Sequence, residues 1–216
     1  MGTFKNMKIG VIIPTRGDRP EMLKTAIEQM KWQTLKPSYI HVLDFPPVEG
    51  VCDITKRYRL GYDFYRGKDF DLLALIEDDD FYRNDYLEVM ANEWVRSGKP
   101  NIIGQTRTIY YHLKEKAWFI MNHTRRSSAM NTLVKPDLDI KWGLDHDPYM
   151  DLKLWNQFYS KSHHIFLPKD IICMGLKHGV GMSGGQFHST YLDRFVNKDP
   201  NGEFYEIVTN QKAPTS

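Results

Sequence analysis

Four consecutive carboxylates, Glu77, Asp78, Asp79 and Asp80, follow the apolar run Leu72-Leu73-Ala74-Leu75-Ile76 without a break. Adjacent acids repel one another, and folding gains nothing from crowding them together. A divalent cation reverses the sign of that repulsion, and Mg²⁺ or Mn²⁺ prefers hard oxygen ligands of this kind. The apolar run reads as a strand buried on both faces, as in a parallel sheet. In open α/β sheets, ligands bind just beyond the carboxyl ends of the strands. The acids therefore stand where a metal and a phosphorylated ligand are expected. The competing reading is a solvated acidic turn ahead of a helix.

The elements that position this cluster can be read from the flanking pattern. Lys8 to Ile13 reads as a first strand, stopped by Pro14, and Thr15 to Pro20 as a loop. A helix follows, with Asp18 or Arg19 near its cap, Pro20 near its first position and Glu21 in its first turn. Its apolar face is Leu23, Ala26, Ile27 and Met30. Tyr39 to Leu43 forms a second strand ending at Asp44, and Asp53 to Tyr65 a second helix. After the acids, Asn84 is placed to cap a third helix with the face Leu87, Met90, Ala91 and Trp94. This alternation predicts a parallel, doubly wound sheet with right-handed crossovers. The second half is less regular. Asn101 to Tyr111 and Glu115 to Asn122 read as strands joined near His112 to Lys114, and Ala129 to Val134 as another. Asp147 to Ser160 reads as a helix, His178 to Gly185 as loop, and Asn210 to Ser216 as a frayed tail.

Bulk properties narrow the function. The chain has 216 residues, enough for one α/β domain with a sizeable core. A net charge of +2 gives no electrostatic case for a nucleic-acid partner. Two cysteines, Cys52 and Cys173, make no disulfide framework and fit a reducing compartment. No apolar stretch approaches a membrane span, so a soluble cytoplasmic protein is expected.

The N-terminal half resembles the nucleotide-sugar-binding half of GT-A glycosyltransferases, closest to the large family 2 group. The residues that carry the resemblance are Val11-Ile12-Ile13-Pro14-Thr15-Arg16, the strand-ending Asp44, the segment Lys56-Arg57-Tyr58, and Asp71 to Glu88 with the acids inside it. It extends from Lys8 to about Val95 and weakens afterwards. It implies a single GT-A (Rossmann-like) domain over residues 1–216, with a mainly parallel central sheet and flanking helices. Residues 1–98 would bind the nucleotide-sugar, and 99–216 would complete the acceptor and metal sites, either as one module of a longer chain or as a compact enzyme completed by a partner. The implied activity is metal-dependent transfer of a sugar from a nucleotide-sugar, a UDP-sugar by preference, to a carbohydrate or glycoprotein hydroxyl with inversion.

The resemblance also assigns roles. Pro14, Thr15, Arg16, Asp44, Arg57 and Asp78 would contact the nucleotide-sugar. Guanidinium forks such as those of Arg16 and Arg57 match phosphate oxygens. Mn²⁺ or Mg²⁺ would be held by Asp79 and Asp80 with a late histidine, His178, or in its place His188. The family has Asp where this chain has Glu77, so two registers stay open: Asp79 with Glu77, or Asp78 with Asp80. Phe45-Pro46-Pro47 also departs from the family's small, acidic turn after the base-binding Asp. The carboxylate base of an inverting transfer falls on Asp145 in Gly143-Leu144-Asp145-His146-Asp147, with Asp147 as the alternate. Trp142 and Trp155 flank that segment, Trp155 more in keeping with a core role.

Three other functions compete. A sugar-1-phosphate nucleotidyltransferase needs a glycine-rich loop after the first strand, which Pro14-Thr15-Arg16-Gly17 lacks. A phosphohydrolase would carry its nucleophilic Asp where Pro14 stands. A binding module without turnover would keep the fold and the acids, and only nucleotide release separates it from an enzyme.

Overall fold

The computed structural model describes residues 7–159, 162–179 and 192–210. The first half alternates as the sequence predicts: β1 (Ile9–Pro14), α1 (Pro20–Lys31), β2 (Tyr39–Leu43), α2 (Ile54–Tyr65), β3 (Leu72–Leu75), the two-residue β4 (Phe81–Tyr82) and α3 (Tyr86–Arg96). Then come β5 (Ile102–Gln105), β6 (Arg107–His112), β7 (Ala117–Asn122), β8 (Thr132–Val134) and α4 (Met150–Phe158). The described chain ends with β9 (His163–Phe166), β10 (Cys173–Lys177), β11 (Asn197–Lys198) and α5 (Glu203–Thr209).

The main sheet has six strands in the order β2-β1-β3-β8-β5-β9. β1 runs parallel to β2 and β3, and β5 parallel to β9, but β8 is antiparallel to both β3 and β5. The sheet is therefore mainly parallel, as expected, but mixed, because β8 breaks the all-parallel pattern that the strand–helix alternation of the first half suggests. The cause is local. The chain leaves β5 for the β6–β7 hairpin, and the three-residue β8 returns in the opposite direction between β3 and β5.

Both faces of this sheet are covered, as the unbroken apolar run requires. Leu72 and Ala74 join one core with Ile9, Val11, Ile13 and the α3 residues Leu87, Met90 and Trp94. Leu73 and Leu75 point to the other core, with Ile12, the α2 tyrosines Tyr58, Tyr62 and Tyr65, and Leu154 and Trp155 of α4. Trp155 is fully buried there and donates its indole N–H to Thr132 Oγ1 at 3.0 Å. α1 begins at Pro20 with Arg19 in the cap position. α3 has Asp85 rather than Asn84 in its cap position, because the Asn84 carbonyl accepts the Thr34 N–H at 2.7 Å.

A second sheet, in the order β11-β7-β6-β10-β4, completes the site. The predicted hairpin pairs Arg107 with Asn122 through to His112 with Ala117. β10, unforeseen from sequence, lies parallel to β6 and antiparallel to β4. The acids occupy the passage from β3 in the first sheet to β4 in the second. The β4–β10 pairing then brings Lys177 and His178 to them. Among the described residues, no helix is long and apolar enough to cross a membrane.

α2 approaches β1 closely at Gly61, where an added Cβ would lie 2.4 Å from Ile12 Cγ2 and 3.0 Å from Leu43 Cδ2. The first contact is with the stiff branch of a buried isoleucine. Gly61→Ala should therefore destabilise the protein by ~1–3 kcal/mol through overpacking, despite alanine's better helix propensity. Urea unfolding checks this. A variant as stable as the parent would mean that the α2–β1 spacing relaxes freely.

Candidate functional site

The four acids adopt different environments. Asp78 Oδ1 accepts from Arg19 Nη2 at 2.8 Å, and Asp79 Oδ2 is paired with Arg19 Nη1. His178 Nε2 lies 2.9 Å from the same Asp79 oxygen. Asp80 turns toward the second sheet, where its Oδ1 accepts the Leu176 backbone N–H at 2.8 Å. The Glu77 N–H donates to the Tyr82 hydroxyl at 3.0 Å, which fixes the backbone as it leaves the strand. Asp78 Oδ2 and Asp80 Oδ2 are buried without a hydrogen-bond partner among the described residues.

Electrostatics divides the cluster. Burial, and then the Asp79 charge, pushes Glu77 up to about 7. Burial also raises Asp80 well above the carboxylate range, with Glu77 and Asp79 adding to the effect. Burial works against the Asp79 charge as well, but the His178 hydrogen bond and Arg19 outweigh it and hold that carboxyl low. Lys177 is buried, which disfavours its charge, yet the fields of Asp80, Tyr110, Asp79 and Glu77 raise its pKa overall.

A cavity of about 220 Å³ opens beside the acids. Glu77, Asp78 and Asp79 line one side, and the cationic residues Arg16, Arg19 and Lys177 adjoin them. Pro14 and Thr15 at the end of β1, Asp53 and Arg57 at the start of α2, and Tyr149 and Asp151 at the start of α4 also line the cavity. Tyr110, Ser128 and Ala129 complete the lining from the second half of the chain.

The acids fit a divalent metal. One ligand oxygen from each of Glu77, Asp79 and Asp80 lies within 4.8 Å of the others, and all are hard donors. The two orphaned buried oxygens add acceptors that no donor among the described residues satisfies. Four carboxylates face two resident cations, Arg19 and Lys177, and one divalent ion would balance the remainder. Both registers left open by the sequence draw on this group, because Asp78, Asp79 and Asp80 also line a second cavity that contains His178.

The other predicted residues are distributed unevenly. Arg57 is buried, and its two terminal nitrogens donate to the carbonyls of Thr15, Leu43 and Phe45 and to Asp53 Oδ2, the last at 2.7 Å. It thus ties the ends of β1 and β2 to the start of α2. Arg16 bonds Asp53 Oδ1 at 3.0 Å and the carbonyls of Val48 and Val51. Asp44 is exposed at the end of β2 and is not among the residues lining the cavity. Asp145 is also outside that lining. It is half exposed and held by Arg59, whose Nη2 lies 2.9 Å from its Oδ1. Asp147 pairs with Lys153, and Trp142 is buried against Tyr62. His188 lies outside the described residues, as do residues 180–185 of the expected loop and 211–216 of the tail.

Several cavity residues escaped the sequence reading, among them Lys177, Tyr110 and Ser128, and two more, Arg19 and Asp151, carry charge beside the acids. Arg19 looks like a helix-cap residue by position, and only the fold turns it onto Asp78 and Asp79. Asp151 sits in the first turn of α4, where an acid is ordinary, yet it lines the cavity, pairs with Arg126 and lies close enough to Glu77 to raise its pKa. Burial raises Asp151 itself, against the pull of Arg126.

No protein-family model and no curated protein sequence matches the chain. Among solved structures, S. aureus TarS aligns with a TM-score of 0.52 at 12% identity, over 79% of this chain and 37% of the TarS chain. Two structures of Drosophila β1,4-galactosyltransferase 7 align over 97% of this chain and 82% of theirs. One is a mutant in complex with manganese, UDP-Gal and xylobiose, with a TM-score of 0.46 at 13% identity. The other is the catalytic domain with xylobiose, with a TM-score of 0.43 at 14% identity. The likeness to TarS shows the fold: a GT-A α/β architecture with a mixed central sheet. This chain spans little more than a third of the TarS chain.

The Glu77 environment yields a prediction. Without a divalent ion, Glu77 keeps its proton in the folded protein up to about pH 7, whereas its ordinary value is 4.5. Between those values the unfolded chain binds fewer protons, so stability falls as pH rises. Glu77→Gln removes this component. In EDTA, its Tm should drop less than the parent's between about pH 5 and about pH 8. Mn²⁺ binding to the parent should release protons and tighten with rising pH, because the ligands must be deprotonated. Calorimetry in buffers of different ionisation enthalpy measures that release, and an absence of proton release would contradict the assignment.

Proposed function

We propose that the chain is a metal-dependent glycosyltransferase that moves a sugar from a UDP-sugar to a hydroxyl of a carbohydrate or glycoconjugate, with inversion. One observation carries the reading. On a GT-A fold, a single cavity brings together a metal-fitting acidic cluster, three cationic side chains and a separate, half-buried carboxylate, Asp151. A module that only binds nucleotide-sugars would have use for the first two features and none for the third.

The residues divide the work. Arg16, Arg19 and Lys177 attract the donor's diphosphate, while Arg57 holds the Thr15 and Phe45 carbonyls that shape the nucleotide end. A divalent ion, held by Asp79 with Glu77 or Asp80 and with His178 nearby, would supply stabilisation of the charge on the leaving diphosphate. Asp151 acts as the base. The acceptor oxygen bonds to the anomeric carbon, its proton passes to the Asp151 carboxylate, and the bond to the diphosphate oxygen breaks with its electron pair leaving on phosphate. A base must reach the proton it abstracts, and geometry favours Asp151 over the sequence-derived Asp145 on that ground.

Two substitutions test the reading. Asp79→Ala should abolish the Mn²⁺ dependence of UDP binding in calorimetry while leaving the fold intact, because Arg19 keeps its pairing with Asp78. Equal UDP affinity of the parent with and without Mn²⁺, or no binding of any nucleoside diphosphate, would sink the proposal. Asp151→Asn should lower turnover by ~10²–10⁴-fold with little change in UDP-sugar affinity, and Asp145→Asn should stay near the parent. The reverse pattern returns the role to Asp145. A product that retains the donor's anomeric configuration would exclude a one-step mechanism with either base.

A further inference from the structure

Next to the charged groups, part of the cavity lining is of a different character. Ser128 is buried at its edge, and its Oγ lies 2.7 Å from Thr108 Oγ1, 3.2 Å from the Tyr110 hydroxyl and 3.2 Å from His123 Nε2. Thr108 Oγ1 in turn accepts from Asn131 Nδ2 at 2.9 Å and lies 3.1 Å from His123 Nε2. Thr108, His123 and Asn131 are buried. This is a hydroxyl network anchored in the protein interior, with Ser128 and Tyr110 as its two members at the cavity. Fully buried networks of this kind hold hydroxyl groups in fixed positions. Burial, reinforced by the Arg126 charge, pushes His123 down to about 4, so the network is uncharged at neutral pH. It has nothing to offer a phosphate beyond neutral hydrogen bonds. Its chemistry matches another hydroxyl.

Chemical connectivity decides which hydroxyl. In a nucleotide-sugar the anomeric carbon is one oxygen from the terminal phosphorus, so the groups that hold the diphosphate also fix where the sugar ring lies. Lys177, on the cationic side, places its Nζ 5.0 Å from the centroid of the Tyr110 ring. The hydroxyl wall therefore begins where the phosphate-attracting groups end. Resting on the glycosyltransferase reading above, we infer that Ser128 and Tyr110 form the donor-sugar subsite and read an uncharged ring hydroxyl of the transferred hexose. His123, Thr108 and Asn131 act as positioning residues behind them.

Comparing UDP with UDP-sugars isolates this subsite from the rest of the cavity. Affinities of the parent, Ser128→Ala and Tyr110→Phe for UDP, UDP-glucose and UDP-galactose are measured by calorimetry with Mn²⁺ present. Each variant should bind its preferred UDP-hexose about three- to tenfold more weakly, the effect of one lost neutral hydrogen bond, while UDP affinity stays at the parent's value. The ratio between the two hexose epimers should narrow in at least one variant. Equal losses for UDP and UDP-hexose, or no loss for either, would overturn the assignment. So would an unchanged UDP-hexose affinity with a raised KM for the acceptor, which would move the wall to the acceptor. Failure of the parent to bind UDP at all would instead remove the glycosyltransferase reading on which this one stands.

Discussion

Placing four carboxylates where a buried strand ends is electrostatically costly, and the surrounding structure is organised around that cost. The cluster cannot move into solvent, because Leu72 to Ile76 pin it to a sheet covered on both faces. Relief has to come from neighbours, and three kinds supply it. Arg19 and Lys177 contribute positive charge. The Leu176 N–H gives Asp80 a fixed donor. Partial protonation of Glu77 and Asp80 removes part of what remains, and it is their raised pKa values that record the shortfall. A site with residual negative charge and unsatisfied buried oxygens is a site prepared for a cation.

Topology determines which neighbours are available. The acids lie between β3 and β4, so they belong to the junction of two sheets. β4 has only two residues, yet its pairing with β10 draws the Gly175-Leu176-Lys177-His178 segment against residues nearly a hundred positions earlier. Gly175 matters here, since a Cβ would lie 2.4 Å from the Tyr110 ring, in the strand pairing that aligns β10 with β6. The same register places Lys177 beside His112 and Tyr110 next to the cavity.

The parts of this arrangement that were legible in the sequence are those encoded locally. Apolar alternation and an unbroken apolar run gave β1, β2 and β3 and both covering cores, and Pro20 marked the start of α1. The acids announced themselves because no folding preference explains them. Short pairings were illegible. β4 and β11 have two residues each and no period to detect, and β8, though read as a strand within Ala129 to Val134, carries no sign of the antiparallel pairing that turns a parallel sheet into a mixed one. Site residues divided along the same line. Asp79 was singled out by unusual local composition and His178 by the family resemblance, and the fold brings His178 Nε2 to 2.9 Å from Asp79 Oδ2. Arg19 and Asp151 were missed because each has an ordinary local explanation, one as a helix-cap neighbour and one as a first-turn acid.

Asp145 and Asp151 show how two acids close in sequence come to very different surroundings. The loop before α4 is fastened to α2 at several points: Arg59 grips the Asp145 carboxylate, the Lys56 N–H reaches the Asp145 carbonyl at 3.3 Å, and Thr55 Oγ1 donates to the Asp147 carbonyl at 2.5 Å. These bonds turn the Asp145 side chain along the outside of α2. They also fix the angle at which α4 begins, and the helix then carries its first-turn acid inward, where Arg126 meets it. An aspartate that anchors a loop and an aspartate that faces a cavity can lie six positions apart and look alike in sequence. What separates them is the cation each one meets: a surface Arg59 on the adjoining helix, or a partly buried Arg126 beside the cavity wall. The α2 contacts thus do for the proposed base what the β4–β10 pairing does for the acids, with a structural contact setting the position of a chemical group it never touches.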